Sequence, residues 1–409
     1  MRLFTEYRRG AGIALTPPAA VLSWLSVYGM DMPWPGPWMT LAEDIRATVF
    51  VVGPLVLAFA VWQASREQRR GACELLGMTP RPPWQRVAWS WASVTLGGVL
   101  GVLVPLVVGV VLVAWRGAYA ADGWWWPLIA TVVDIGFIAA VGTTIGALVP
   151  VPLPGLLGGV AAYITIAQLA KGSEAGLSAL FPGLPYVGHW LPREARPVAH
   201  AVVVLWFVVG TVTLLVLVAA RRKWLAAVPA AIATGVAVVV GGFTASDYVV
   251  VDQRALELVC RDQVCTTRAQ AHLLDRITAV AKPLLDKVAG IPGAPTSARP
   301  RSTGQDLDVG EMRVDWRGEL MYFESIYYHQ SLVSAVLRPR CVAHVEFDVP
   351  RAAVTAWWTG DRSVLSDVPG AADLLDRLNR LDIAAQRAWT ARYLNAVRRC
   401  DSSAVVEIL

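Results

Sequence analysis

Residues 87–115 read VAWSWASVTLGGVLGVLVPLVVGVVLVAW, twenty-nine positions without one charged side chain. A helix crosses the hydrocarbon core of a bilayer with about 20 predominantly apolar residues, so this run is long enough to span. Its glycines Gly97, Gly98 and Gly101 leave room for a second helix to approach closely.

Working outward, comparable runs recur along the first part of the chain. Seven spans are expected, at 12–30, 47–64, 87–115, 125–149, 155–170, 199–220 and 224–245. The first contains Pro17 and Pro18 and the fifth is short, but proline, glycine and tilt are tolerated in membrane helices. The first run has no small-x-small cleavage site near its end and reads as a span rather than a signal peptide. The expected architecture is an α-helical polytopic membrane domain, residues 1–245, followed by a small α+β domain, residues 246–409. The composition agrees: 55% of residues are hydrophobic and 16% charged, against about 25% charged in a typical soluble domain.

The net charge of +5 resides in the membrane part, where residues 1–245 hold 16 Lys and Arg against 10 Asp and Glu, while residues 246–409 hold 20 against 21. Cationic loops beside membrane spans reflect topology, so nucleic-acid binding is excluded. Arg2, Arg8, Arg9, Arg66, Arg69, Arg70, Arg81, Arg86, Arg221, Arg222 and Lys223 fall on one side, which the positive-inside rule makes cytoplasmic. The opposite loops receive Arg46, Arg116, Lys171, Arg193 and Arg196 together with six acids. Trp115 and Trp124 to Trp126 mark that outer interface, where aromatic belts lie. Basic positions are almost all arginine, a bias of GC-rich bacterial genomes, so the expected location is the bacterial cell membrane with a cytoplasmic N-terminus and the lipid bilayer as its first partner.

An odd number of spans places the soluble part outside. Cys260, Cys265, Cys341 and Cys400 all lie there, an even set suited to an oxidising compartment. Three pairings are open, with Cys260–Cys265 and Cys341–Cys400 preferred. No CxxC pattern is present, and no metal is expected.

The loop between spans two and three, SREQRRGACELLGMTPRPPWQRVAW at 65–89, combines five arginines with three prolines. Residues 68–78 can form a short amphipathic helix that the following prolines stop. The bland reading is that its arginines only set topology. This loop, the basic opening MRLFTEYRRG and a first span with prolines resemble the permease subunits of ABC-2-type exporters of actinobacteria. The resemblance covers residues 1–222 by layout. It implies that the loop is a coupling helix touching a separate cytoplasmic ATPase, through Arg69, Arg70, Glu74, Leu75, Leu76 and Thr79. It also implies a homo- or heterodimer of permease subunits. The stretch KGSEAGLSALFPGLPYVGHWLP, 171–192, resembles the short extracellular re-entrant helices of that family. The chain departs from ordinary members in its seventh span and external domain. LELVCRDQVCTTRAQAHLLDRITAVAKPLLDKVAGIPGAP is similar to an uncharacterised extracytoplasmic domain carried by such permeases.

The chain has no Walker A motif, G-x-x-x-x-G-K-[ST], so it holds no phosphate cradle of its own. No cofactor is expected. Asp134 is the single acid inside an expected span, and an intramembrane ionisable residue is a functional candidate by default. Its alternative is a structural hydrogen bond within the bundle.

In the outer part, Leu273, Leu274, Ile277, Val280, Leu284, Leu285 and Val288 form one helical stripe. Residues 290–305 read as an exposed loop, ELMYFES and CVAHVEFDV as strands, and 372–399 as one or two helices ending near Cys400. His344 and Glu346 alternate on one face of an expected strand with His329 upstream, so a metal or general acid/base site is conceivable, but neither HExxH nor G-x-S-x-G is present, so an enzyme is not expected. The expected function is an exporter permease subunit. The alternatives are a non-transporting anchor displaying a sensing or assembly domain and, last, a membrane-bound hydrolase.

Overall fold

The computed structural model describes residues 2–29, 37–66, 82–149, 159–160, 163–164, 180–183, 193–220, 223–243, 245–300, 311–314, 333, 336–337 and 347–401. The chain divides into two compact units, residues 1–252 and 253–409. Most of it is helical, and among the described residues the four-stranded sheet lies in the second unit.

The first unit opens with α1, Arg2–Arg9, and α2, Ala11–Tyr28. Helices α3, Trp38–Ala47, and α4, Val49–Ala64, follow one another with only Thr48 between them. Next come α5, Pro83–Trp115, α6, Trp126–Leu148, α7, Pro197–Ala219, and α8, Ala227–Gly241. Among the described residues six segments are long and apolar enough to cross a membrane: α2, the joined α3 and α4, α5, α6, α7, and Trp224–Gly241. The fifth expected span, 155–170, lies outside the described residues except for helical residues 159–160 and 163–164.

The second span corrects the expectation. It was expected to begin at residue 47, yet the helix starts at Trp38 and is 27 residues long with α4. Glu43, Asp44 and Arg46 interrupt the apolar run, which truncates a reading by hydropathy. Arg46, expected in an outer loop, is instead buried within the bundle.

Helices α2 and α5 run parallel and nearly touch, with a Cβ at Gly97 falling 2.5 Å from the Gly12 carbonyl oxygen. Thr16 Oγ1 donates to the Gly97 carbonyl, 3.2 Å, and the Tyr28 hydroxyl to that of Pro105, 2.9 Å. Helices α4 and α6 are likewise parallel, since Gly142 meets Leu57 and Ala60 while Gly146 meets Val61. Helix α7 runs parallel to α6, His200 lying beside Trp126 and Phe207 beside Phe137. The bundle therefore has two ends. One carries α1, Gln63 and the start of α5. The other carries Trp38, Trp115, Trp126 and the start of α7.

The tryptophan end is closed by irregular chain. Strand β1, Arg193–Ala195, pairs antiparallel with β2, Val249–Val251. The Ala195 N–H donates to the Asp122 carbonyl, 3.3 Å, and the Tyr119 hydroxyl to Asp252 Oδ2, 2.7 Å.

The second unit begins with a hairpin of β3, Leu258–Arg261, and β4, Val264–Thr267, turning at Asp262 with φ 52°. Cys260 and Cys265 face each other across it and form a disulfide. Cys400 is also disulfide-bonded, while Cys341 lies outside the described residues. Helix α9, Leu274–Val288, buries Leu274, Ile277, Leu284, Leu285 and Val288, the expected stripe. The stretch 290–305 is not loop throughout, because Ser297–Pro300 is strand β5. It joins the sheet β3-β4-β5-β6, where β6 is Glu311–Val314 and the last two pairings are parallel. Residues 348 and 349, expected in a strand, begin helix α10, Asp348–Thr359. Helices α11, Ala371–Arg380, and α12, Ile383–Arg399, complete the unit. Its core contains Ile277, Phe347, Trp358, Leu374 and Tyr393, and the Trp358 indole donates to the Leu284 carbonyl, 2.8 Å.

Candidate functional site

The six residues expected to touch an ATPase, Arg69, Arg70, Glu74, Leu75, Leu76 and Thr79, lie outside the described residues. The flanks of their loop are described. Gln63, near the end of α4, accepts the Ala11 N–H through Oε1, 3.1 Å, so the loop leaves the bundle beside α1. That short helix exposes Phe4 and sets the Arg8 guanidinium 5.6 Å above its ring.

Asp134 lies two turns into α6 from the tryptophan end and is fully buried. Arg46 of α3 brings Nε to 3.8 Å from Asp134 Oδ2, with 8% and 0% of the two side chains exposed. A charge in hydrocarbon is costly unless paired, and this pairing accounts for both residues being inside. The same Oδ2 accepts the backbone N–H of Gly183, 2.9 Å. Residues 180–183 thus enter the bundle, where Pro182 and Gly183 are buried and the Leu180 carbonyl accepts the Trp206 indole N–H, 3.1 Å. They are not α-helical. Irregular backbone at membrane depth is tolerated where protein surrounds it and satisfies its polar groups.

Nearer the tryptophan end, His200 in the first turn of α7 is 3% exposed. Its ring lies parallel to Trp126, centroids 6.2 Å apart, and edge-on to Tyr248, 6.1 Å. It hydrogen-bonds the Tyr248 backbone, whose carbonyl also accepts the Arg196 N–H, 2.9 Å. The Tyr248 hydroxyl is pushed up to about 12, chiefly by burial, with the Arg46 charge opposing and Asp247 adding to the shift. It is therefore a neutral donor at physiological pH. Arg46 exerts its charge on Asp134, His200 and Tyr248 alike, which makes it the hub of the cluster.

Asp134 Oδ1, His200 Nε2, the Tyr248 hydroxyl and Trp126 Nε1 are buried in this region without a hydrogen bond. An unmet buried polar group costs about 1–3 kcal/mol. Among the described residues no group of three or more His, Cys, Asp or Glu is arranged to hold a metal ion.

Of the expected site residues, the structure thus places Asp134 in a polar cluster and adds Arg46, His200, Tyr248 and Trp126. Sequence reasoning missed Arg46 because it was read as loop. A buried aspartate demands a partner, and Arg46, directly before the apolar run 47–64, is one of the few basic residues bordering a span that could supply it. His200 carried a signal too, as the single ionisable side chain between residues 197 and 219. The second unit brings together no comparable cluster among the described residues, and His329, His344 and Glu346 lie outside them. Compared with known protein families, with curated proteins and with solved structures, the chain matches none.

Proposed function

We propose that the chain is the permease-like subunit of an ABC-2-type exporter, working as a homo- or heterodimer and driven by a separate cytoplasmic ATPase that docks on the loop between spans two and three. The observation that supports it most is the segment 180–183, irregular backbone buried beside Asp134. It falls within the stretch that resembles the re-entrant helices of that family. The parallel course of α6 and α7 gives further support, because parallel neighbours need a return crossing between them, and the apolar run 155–170, short as it is, lies between them to supply it. That crossing makes seven spans.

In this reading the end holding α1 and the basic loop is cytoplasmic, and the unit carrying the Cys260–Cys265 disulfide is extracytoplasmic. ATP-driven movement of the loop shifts the spans between two packings, and the outer unit gates or receives the cargo.

The test is purification from the native membrane in mild detergent, with and without the double change Glu74→Arg and Leu75→Asp. An ATP-binding ATPase that accompanies the native chain and is lost with the double change is the expected result. Absence of any ATPase, even after cross-linking, overturns it in favour of a non-transporting anchor for the outer unit.

A further inference from the structure

The polar cluster has more hydrogen-bonding capacity than the chain itself uses. Asp134 Oδ1, His200 Nε2, the Tyr248 hydroxyl and Trp126 Nε1 all lack a partner, and Asp134, His200 and Tyr248 are 0%, 3% and 2% exposed. Native proteins leave few such groups unmet, and several in one region of an apolar bundle point to something that fills them.

We infer that the cluster is a binding site for the neutral, hydroxyl-rich headgroup of an amphiphile, of the alkyl glycoside class. The first reason is charge. Arg46 and Asp134 offset each other, so an ionic headgroup would bring a buried charge with no counter-charge left to pair it, whereas a neutral one would not. The second is the mixture of functions. Trp126 and Tyr248 offer donors. Asp134 offers an acceptor, and so does His200, whose ring already bonds the Tyr248 backbone and whose Nε2 is left over. A hydroxyl group donates and accepts at once and suits both kinds. The third is the surround, in which Phe137, Trp206 and Phe207 form an aromatic cluster with Trp126 and Tyr248 that suits the apolar part of such a molecule.

This deepens the exporter reading by naming a cargo class, but its test needs neither ATPase nor transport. The full-length chain in phosphatidylcholine nanodiscs is titrated with a dodecyl glucoside carrying a photoreactive diazirine, and labelled peptides are identified by mass spectrometry. Saturable labelling near Trp126, His200 or Tyr248 is expected. Dodecyl glucoside should compete, and dodecylphosphocholine and dodecyltrimethylammonium should not. Tyr248→Phe removes one oxygen and should raise the half-saturating concentration about two- to tenfold, the worth of one hydrogen bond. If that variant does not fold, Trp126→Phe removes a second donor and should act in the same sense. Labelling that does not saturate overturns the proposal, as does competition by all three headgroups. Saturable labelling unchanged by either variant overturns it too, and water then occupies the cluster. Loss of the ATPase in the co-purification leaves this result untouched, so the two readings fail separately.

Discussion

Arg46 and Asp134 meet inside the helix bundle, Nε 3.8 Å from Oδ2, with almost no part of either side chain reaching solvent. The pair ties α3 to α6, and the Gly183 N–H on the same carboxylate oxygen ties in residues 180–183. Three stretches of chain far apart in sequence thus converge on one carboxylate. Removing either charge leaves the other buried in a medium that solvates it poorly, so the pair behaves as a unit.

Arg46→Ala and Asp134→Ala should each destabilise the first unit by about 3–5 kcal/mol, as for other broken buried pairs. The double change Arg46→Met with Asp134→Leu should recover part of the loss. Thermal stability in detergent, followed by size-exclusion chromatography of the surviving monodisperse fraction, measures this. Additive single losses would show that the charges are not coupled.

The close contact of α2 with α5 gives a second expectation. A methyl group at Gly97 would fall 2.5 Å from the Gly12 carbonyl oxygen and 3.0 Å from the Gly12 Cα, and backbone cannot yield as a side chain does. Gly97→Ala should cost about 1–3 kcal/mol by overpacking, and Gly97→Leu more. Gly235 has nothing within 4 Å, so Gly235→Ala is the neutral control in the same assay.

Tyr393 makes stability pH-dependent in the second unit. Burial, ahead of an opposing effect of Arg351 and a reinforcing one of Asp348, raises its hydroxyl above the ordinary 10.0. The folded state therefore keeps a proton that the unfolded chain releases near pH 10. The contribution is fully present below that pH and falls as pH rises above it. Unfolding followed by tryptophan fluorescence between pH 8 and pH 11 should show a steeper alkaline loss for the native chain than for Tyr393→Phe. Equal slopes would place the hydroxyl in contact with solvent.

Lys287 holds the end of α10 by donating Nζ to the Trp357 and Trp358 carbonyls, with its ammonium 5.1 Å above the Trp357 ring. A cation on the last carbonyls of a helix satisfies groups that have no partner within it. Lys287→Met keeps the aliphatic stem and should cost about 1 kcal/mol, read from chemical denaturation. No change in midpoint would mean that water replaces the ammonium at no cost.

Cysteine labelling tests the orientation. Cys73 should react in intact cells with a membrane-permeant maleimide and resist an impermeant one. Cys260 and Cys265 should react with neither until a reductant opens their disulfide. Labelling of Cys73 by the impermeant reagent would invert the topology.

Much of this architecture is legible from residues alone because it rests on local, additive properties. An apolar run such as 87–115 has to leave water wherever its neighbours lie, and the structure has α5 there. The α9 stripe follows from helical period, and the Cys260–Cys265 bridge from two thiols a tight hairpin apart. What the tertiary structure decided is what depends on partners. Arg46 is expensive in a membrane by itself and becomes affordable only opposite Asp134, a contact that no local window contains. Ser297–Pro300 looks like loop by composition and becomes a strand because β4 and β6 flank it. His200 and Tyr248 share a site because β1 and β2 pair and fold the chain after the last span back onto the tryptophan end. Hydropathy is a property of a segment and can be summed along it, whereas the worth of a buried charge or a strand edge is set by whatever the fold places against it.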